Sequence, residues 1–378
     1  MNSPVQEWLE LRAVKGLGAR SFVRLLGLFG SPQAIRSTSR SRLVEEGEIS
    51  PALAQALHQP LPPEALQQIK VEIEAVQAGQ FQLLPFTDPG YPPRLKTIPD
   101  PPPILAITGT LLPQDSHALA IVGARKASAS GRAFTQKLGG DLAALGFTIV
   151  SGLARGTDGV AHEGAMVSSG RTLAVLGCGI DHTYPPEHRS LRSKIEKQGA
   201  VLSEFPMGTP PHAYHFPQRN RVISGLALGV IVTEATSKSG SLITARLALE
   251  QNREIFAVPG NVTSPLSRGP HLLIKQGAKL VEDVSDIIEE VLPILDPEFQ
   301  EHVKKQQLTS QVHAPLPELG TEEQQVLKLI PLDPVSLDDL ISQSFYSSSE
   351  VMSILLSLEI KGLIKQIPGL QYLRVPFR

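Results

Sequence analysis

A second cysteine is missing from this chain of 378 residues. Cys178 stands alone, which excludes a disulfide framework and every metal site built on paired thiolates, and fits a reducing cytosol. Long apolar runs are missing too. No segment approaches the roughly 18 consecutive apolar residues of a membrane span, and the start, MNSPVQEWLELRAVKG, carries acidic residues where a signal peptide would carry an apolar stretch. The expectation is a cytoplasmic protein with no membrane partner. H-E-x-x-H, G-x-S-x-G and acidic metal clusters are absent, so hydrolase and metalloenzyme readings have nothing to rest on, and no catalytic residue, metal or cofactor is expected. An excess of either charge is also lacking: 35 Lys and Arg stand against 37 Asp and Glu. A polyanion would therefore be attracted only by a local concentration of cations.

What is present is a regular alternation. From Ala118 to about Leu292 the runs ALAIVGA, FTIVSG, TLAVLGCG, AVLSEF, GVIVTEA, EIFAVPG and KLVED alternate with segments long enough for helices. Strands apolar throughout need cover on both faces, so the fold class is α/β, with a Rossmann-like parallel sheet core over residues 80–292. Ligands of such sheets sit at the carboxyl ends of the strands. Residues 1–75 read as a helical module, in which VKGLGARSFVRLLGLFG has the form of a helix-hairpin-helix turning at Gly16 and Gly18. The run TDPGYPPRLKTIPDPPPIL reads as an extended strap, because proline after proline opposes helix. Residues 293–320 lack a sustained pattern and read as a linker. Residues 321–378 repeat helix, helix, helix and a short ribbon around Gly369, the outline of a winged helix. Its candidate recognition helix, Ser347 to Lys361, carries Glu350 and Glu359 and few cations, which favours protein contact over DNA.

Three loops carry groups suited to an anion. IVGARKASASGRAF offers Gly123 for close backbone approach, Arg125 and Lys126 for charge, and the Ser130 region to cap the next helix. It is not the G-x-G-x-x-G fingerprint, and no Walker lysine follows a glycine loop. VSGLARGTDGVAH combines Ser151, Gly152, Arg155 and Gly156 with Asp158, read as a helix cap, and His162, read as structural. In EATSKSGSLITARLALE, Lys238, Ser239, Gly240 and Ser241 open a helix whose first amides and hydroxyls suit one phosphate. A fourth stretch, FPQRNRVISGL, places Arg219, Asn220 and Arg221 after Pro217. All three can donate to phosphates, and arginine binds phosphate through a planar fork. The competing reading pairs Arg219 or Arg221 internally with Glu234. Arg125, Arg155, Arg219, Arg221 and Lys238 along one sheet edge exceed what a single carboxylate neutralises, so a polyanion is the economical partner.

The runs GARKAS, SGLARGTDGVAH, VLGCGIDHTYPPEH, FPQRNRVISGL, SKSGSLITARLALEQNREIFAVPGN and LIKQGAKLVED, in that order, closely resemble the DNA-processing protein A family, DprA or Smf, over roughly residues 80–290. The resemblance implies a non-catalytic homodimer that binds and shields single-stranded DNA and helps load the RecA recombinase during natural transformation. It places the DNA pocket on Gly123, Arg125, Ser151, Gly152, Arg155, Arg219, Asn220, Arg221 and Ser239 to Ser241. Thr157 stands where that family more often has an apolar residue, and Asn252 where it more often has glycine. A second likeness, to lysine-decarboxylase-like (LOG) nucleotide hydrolases, lacks their P-G-G-x-G-T-x-x-E run, with SGSLITARLALE in its place.

Overall fold

The computed structural model describes residues 4–312, 319–331, 335–361, 363–367 and 369–374. Two compact units divide the chain, Met1–Lys304 and Lys305–Arg378.

The first unit is built on nine strands: β1 (Gln82–Pro85), β2 (Ile104–Gly109), β3 (Ala118–Val122), β4 (Thr148–Ser151), β5 (Thr172–Val175), β6 (Ala200–Ser203), β7 (Gly229–Val232), β8 (Glu254–Ala257) and β9 (Lys279–Leu280). They lie in the order β1-β2-β6-β5-β4-β3-β7-β8-β9. From β6 to β9 every pair is parallel. These are the seven strands expected from the apolar runs. β1 and β2 were not expected; they pair antiparallel with each other, and β2 pairs antiparallel with β6. Both flank the proline-rich run, which hid them. An edge position tolerates Pro85 at a strand end, and the Phe86 amide still donates to the Pro103 carbonyl at 2.8 Å.

The two-residue period of a strand sends side chains into two layers. On β3, Ala118, Ala120 and Val122 join a core containing Val222, Ile223 and Leu226 of the helix His215–Leu226 and Ala245 and Ala248 of the helix Gly240–Glu250. Leu119 and Ile121 join the opposite core, with Leu138 and Leu142 of the helix Ala129–Ala144 and Ala161 and Ala165 of the helix Thr157–Val167. Helical cover on both faces is why these strands are apolar throughout. From β3 the chain runs to β4 on one side, while β7 pairs on the other. The connections thus diverge between β3 and β7, and the crevice at such a switch point is where ligands of open α/β sheets bind.

Two sequence expectations need correction. The strap contains one helical turn, Pro93–Lys96, entered through Pro92 and Pro93; proline is compatible with a first turn, whose amides have no intrahelical acceptor. The supposed linker carries the helix Pro297–Val312. Asp296 caps it, accepting from the Phe299 amide at 3.0 Å, and buried Val303 anchors it to the sheet's second core. Phe299 stacks on His117 with ring centroids 3.9 Å apart. Two anchors in sixteen residues are too sparse to read as amphipathic periodicity.

The N-terminal helices run from Pro4–Arg12 to Pro63–Gln77, and Gly16 (φ +89) makes the turn before the helix Ala19–Phe29. Their core, with Trp8, Phe22, Leu25 and Leu57, also takes in Ile104 of β2, so helices and sheet share apolar packing inside one unit.

In the second unit the helices Thr321–Leu329, Leu337–Gln343 and Ser348–Ile360 pack with a sheet ordered β10-β12-β11, where β10 is Val335–Ser336, β11 Ile364–Ile367 and β12 Gln371–Arg374. This is the expected winged helix. The acids of its third helix have local tasks: Glu350 accepts from the Ser347 amide at 2.8 Å in a capping box, and Glu359 accepts from the Gln366 amide at 3.0 Å.

Candidate nucleic-acid interface

A cleft of about 420 Å³ opens at the carboxyl ends of β3 and β7. Five segments line it: Gly123, Arg125 and Lys126 after β3; Asp158 from the segment after β4; Phe216, Arg219 and Asn220 on the helix His215–Leu226; Ser239, Gly240 and Ser241 after β7; and Leu266 after β8. The helix His215–Leu226 enters β7 from the amino edge, so its own N-terminus lies at the carboxyl edge with the loops. Arg125 and Lys126 are exposed. The helix Gly240–Glu250 starts at the cleft wall with no acidic residue in its first turn, so no carboxylate there cancels the positive end of its dipole.

Arg219 forms the floor. It is buried, and one of its terminal nitrogens donates to the Gly152 carbonyl at 2.7 Å and also to the Val175 carbonyl. A single guanidinium thereby ties the ends of β4 and β5 together. Burial pulls its pKa down to about 10, with Asp158 working in the opposite direction. A Cβ on Gly152 would stand within 2.6 Å of the Arg219 guanidinium, so any side chain there would have to displace the floor. Asp158 does not cap its helix as expected. It accepts from the amides of Gly152 and Ala154, at 3.1 and 3.3 Å, and so holds the loop above the floor. Burial raises its pKa, opposed by Arg219 and by those two amides.

Phe216 escaped the sequence reading. Arg125 sits 5.3 Å and Arg219 5.9 Å from its ring centroid. The available signal was an aromatic residue one helical turn before Arg219, on the same face. Asn220 bridges two lining segments, accepting from Arg219 Nε at 3.2 Å and donating to the Gly240 carbonyl at 3.4 Å.

Several expected site residues do other work. Residues two apart on a helix point about 200° apart, so Arg219 and Arg221 cannot both face one cleft. Arg221 is buried on the far side, paired with Glu204 and, at 3.0 Å, with Asp100. Glu234 pairs with neither arginine; its carboxylate accepts from the Ser128 amide at 2.8 Å and the Ser128 hydroxyl at 2.6 Å. Ser128, rather than Ser130, caps the helix Ala129–Ala144. The Ser151 hydroxyl donates to the Ile121 carbonyl at 2.6 Å, spent between β3 and β4. Gly156 (φ +75) packs against the Arg125 carbonyl. Arg155 and Lys238 are exposed beside the cleft without lining it. Arg155 pairs with exposed Glu187, an arrangement that is weak in water.

His162 is structural, as expected: it is buried 2.6 Å from the Thr172 hydroxyl, and burial lowers its pKa to about 3. Burial pushes the Cys178 thiol up to about 11, so it stays protonated near neutrality. Thr157 belongs to a buried hydroxyl chain, 3.4 Å from Thr233, which in turn accepts from Thr135 at 3.2 Å. Asn252 holds a positive φ of 55, which asparagine tolerates better than most residues other than glycine. Among the described residues, no group of three or more His, Cys, Asp or Glu could hold a metal ion, and no helix is long and apolar enough to cross a membrane.

Gly123→Ala should cost about 1–3 kcal/mol of stability by overpacking, since the new Cβ would stand 2.5 Å from Thr157 Oγ1 and 3.0 Å from the Glu234 carbonyl oxygen. Thermal denaturation reads this; an unchanged midpoint would show that the loop relaxes freely.

A doubly wound sheet with cations, a helix start and an aromatic ring gathered at its switch point defines a Rossmann-like core with a cleft whose lining suits an anion. The DNA recombination-mediator protein A family matches residues 82–292, and the DprA winged helix domain matches residues 311–369. Protein Smf of Escherichia coli is 42% identical over 78% of this chain and 78% of its own length. DNA processing protein DprA of Bacillus subtilis is 44% identical over 58% of this chain and 74% of its own. The X-ray structure of DprA from Streptococcus pneumoniae superposes with a TM-score of 0.66 at 34% identity, covering 77% of this chain and 99% of that one. The structure of DNA processing protein A from Helicobacter pylori, described for its single-stranded DNA binding mode, gives 0.51 at 30% identity over 57% of this chain and 96% of that one. This chain belongs to the DNA recombination-mediator protein A family, and the nucleotide-hydrolase likeness is set aside.

Proposed function

We propose that this chain binds single-stranded DNA without sequence preference through the cleft between β3 and β7, shields it, and performs no chemistry on it. The observation that carries the reading is the meeting of exposed Arg125 and Lys126, the Ser239–Ser241 helix start and the ring of Phe216 in one cleft. Cations and amides suit phosphates whatever the sequence, and an aromatic face suits any base. The single-stranded DNA binding mode described for the Helicobacter pylori relative supports the same choice. Action as a cytoplasmic homodimer that helps load RecA in natural transformation belongs to the proposal and rests on the family alone. Retardation of a labelled oligonucleotide tests it: the single strand shifts and is released by added salt, with an equal-length duplex run alongside to define strand preference. No shift at low salt would overturn the reading.

The winged helix is assigned to protein contact. Its third helix exposes Met352 and Leu356, and Phe345 stands exposed nearby, where a DNA reader would present cations. Removing residues 305–378 should leave single-strand binding in place, measured by the same retardation. Loss of all binding in the shortened, folded protein would show that the module takes part.

A further inference from the structure

Immediately before the helix that carries Phe216 and Arg219 lies the segment PMGTPPHAY, residues 206–214. Ala213 lines the cleft. Tyr214, next to it, is 67% exposed, so its ring does not hold the core together. The ring is nevertheless held in place. It stacks on exposed His212 with centroids 5.4 Å apart and planes 8° from parallel, and meets the largely buried His215 edge-on at 4.4 Å. His215 is anchored against Phe205 at 4.3 Å. Backbone bonds from Gly179 to Thr209 (2.8 Å), Thr209 to Pro206 (3.1 Å) and His215 to His212 (3.0 Å) keep the segment folded. A stacked, pre-set pair of rings open to solvent, on the residues either side of the cleft-lining Ala213, has the form of a platform for a nucleobase, because every base has a flat face and stacking asks nothing of sequence.

We infer that Tyr214, backed by His212, forms a second base-stacking position that extends the cleft beyond Phe216 and takes a nucleobase of single-stranded DNA as the strand leaves the phosphate contacts of Arg125 and Lys126. The inference rests on the proposed single-strand binding and adds a subsite to it. A duplex has its bases stacked internally and cannot use such a platform, so the subsite favours single strands.

The test compares oligothymidylate with an abasic oligonucleotide of equal length and charge, using the full chain, Tyr214→Ala and Tyr214→Phe. Tyr214→Ala should weaken oligothymidylate binding about five- to tenfold, Tyr214→Phe should keep it, and the abasic strand should bind all three alike. The salt slope should not change, since no phosphate contact is lost. Equal affinity of Tyr214→Ala and the unsubstituted chain for oligothymidylate would overturn the platform and leave the cleft intact. Failure of the unsubstituted chain to bind either strand would overturn the cleft reading and the platform with it. Equal weakening on both strands would assign Tyr214 to the shape of the loop and also sink the inference.

Discussion

Replacing Arg125 and Lys126 together with alanine is expected to weaken single-strand binding at least about tenfold, because two charge-assisted contacts to phosphate, each worth roughly 1.5–3 kcal/mol when fully formed, are removed, less what solvent screens. Both side chains are exposed at the cleft, and neither forms an ion pair in the described residues. Folding should be unaffected, so thermal denaturation provides the control. A folded double variant that binds as well as the unsubstituted chain would remove these residues from the interface.

Arg221→Ala should do the reverse: it should destabilise the fold and leave the affinity of the folded protein near that of the unsubstituted chain. Arg221 is buried between Glu204 and Asp100, and taking one partner from a buried pair costs about 3–5 kcal/mol. The lower end is expected, because Asp100 is partly exposed and can turn to water. The effect should depend on pH. Burial holds the Glu204 pKa up at about 7 against the pull of Arg221, with Asp100 adding to the rise. A carboxyl whose folded pKa lies above its unfolded value is a folded-state proton binder, so its contribution to stability falls as pH rises from about 4.5 through 7. Without Arg221 the folded pKa climbs further and the fall extends to more alkaline pH. The melting-temperature penalty should therefore be larger at about pH 8 than at about pH 5. A penalty independent of pH would mean that Glu204 finds another partner, and a large loss of affinity in folded protein would return Arg221 to the cleft.

The two arginines of FPQRNR show how far the sequence could be read. Their clustering beside an apolar run signalled anion chemistry, and the strand pattern placed the run at the correct edge of the sheet. What separates them is the angular step of the helix: once His215–Leu226 is helical, one arginine must turn to the floor of the cleft and the other to the core. The partners of Arg221, Glu204 and Asp100, lie 17 and 121 residues away in sequence, a separation that no local pattern reports. Ser151 and Asp158 likewise looked like ligands or caps. Their bonds to the Ile121 carbonyl and to the Gly152 and Ala154 amides exist only once β3 and β4 are paired and the loop is folded back. The parallel strands were legible because burial on both faces forces continuous apolar runs. β1, β2 and the helix Pro297–Val312 were not, since edge strands flanking prolines and a helix held by two anchors leave a weak pattern.

The central claim is that Arg125 and Lys126 contact phosphates of a single strand in the β3/β7 cleft. It is tested most directly by the slope of log binding constant against log salt concentration, measured with one oligonucleotide for the unsubstituted chain and for Arg125→Ala/Lys126→Ala. Each phosphate neutralised on a single strand contributes about 0.7 to that slope, so the double variant should be shallower by about 1.4. Parallel lines for the two proteins would contradict the account.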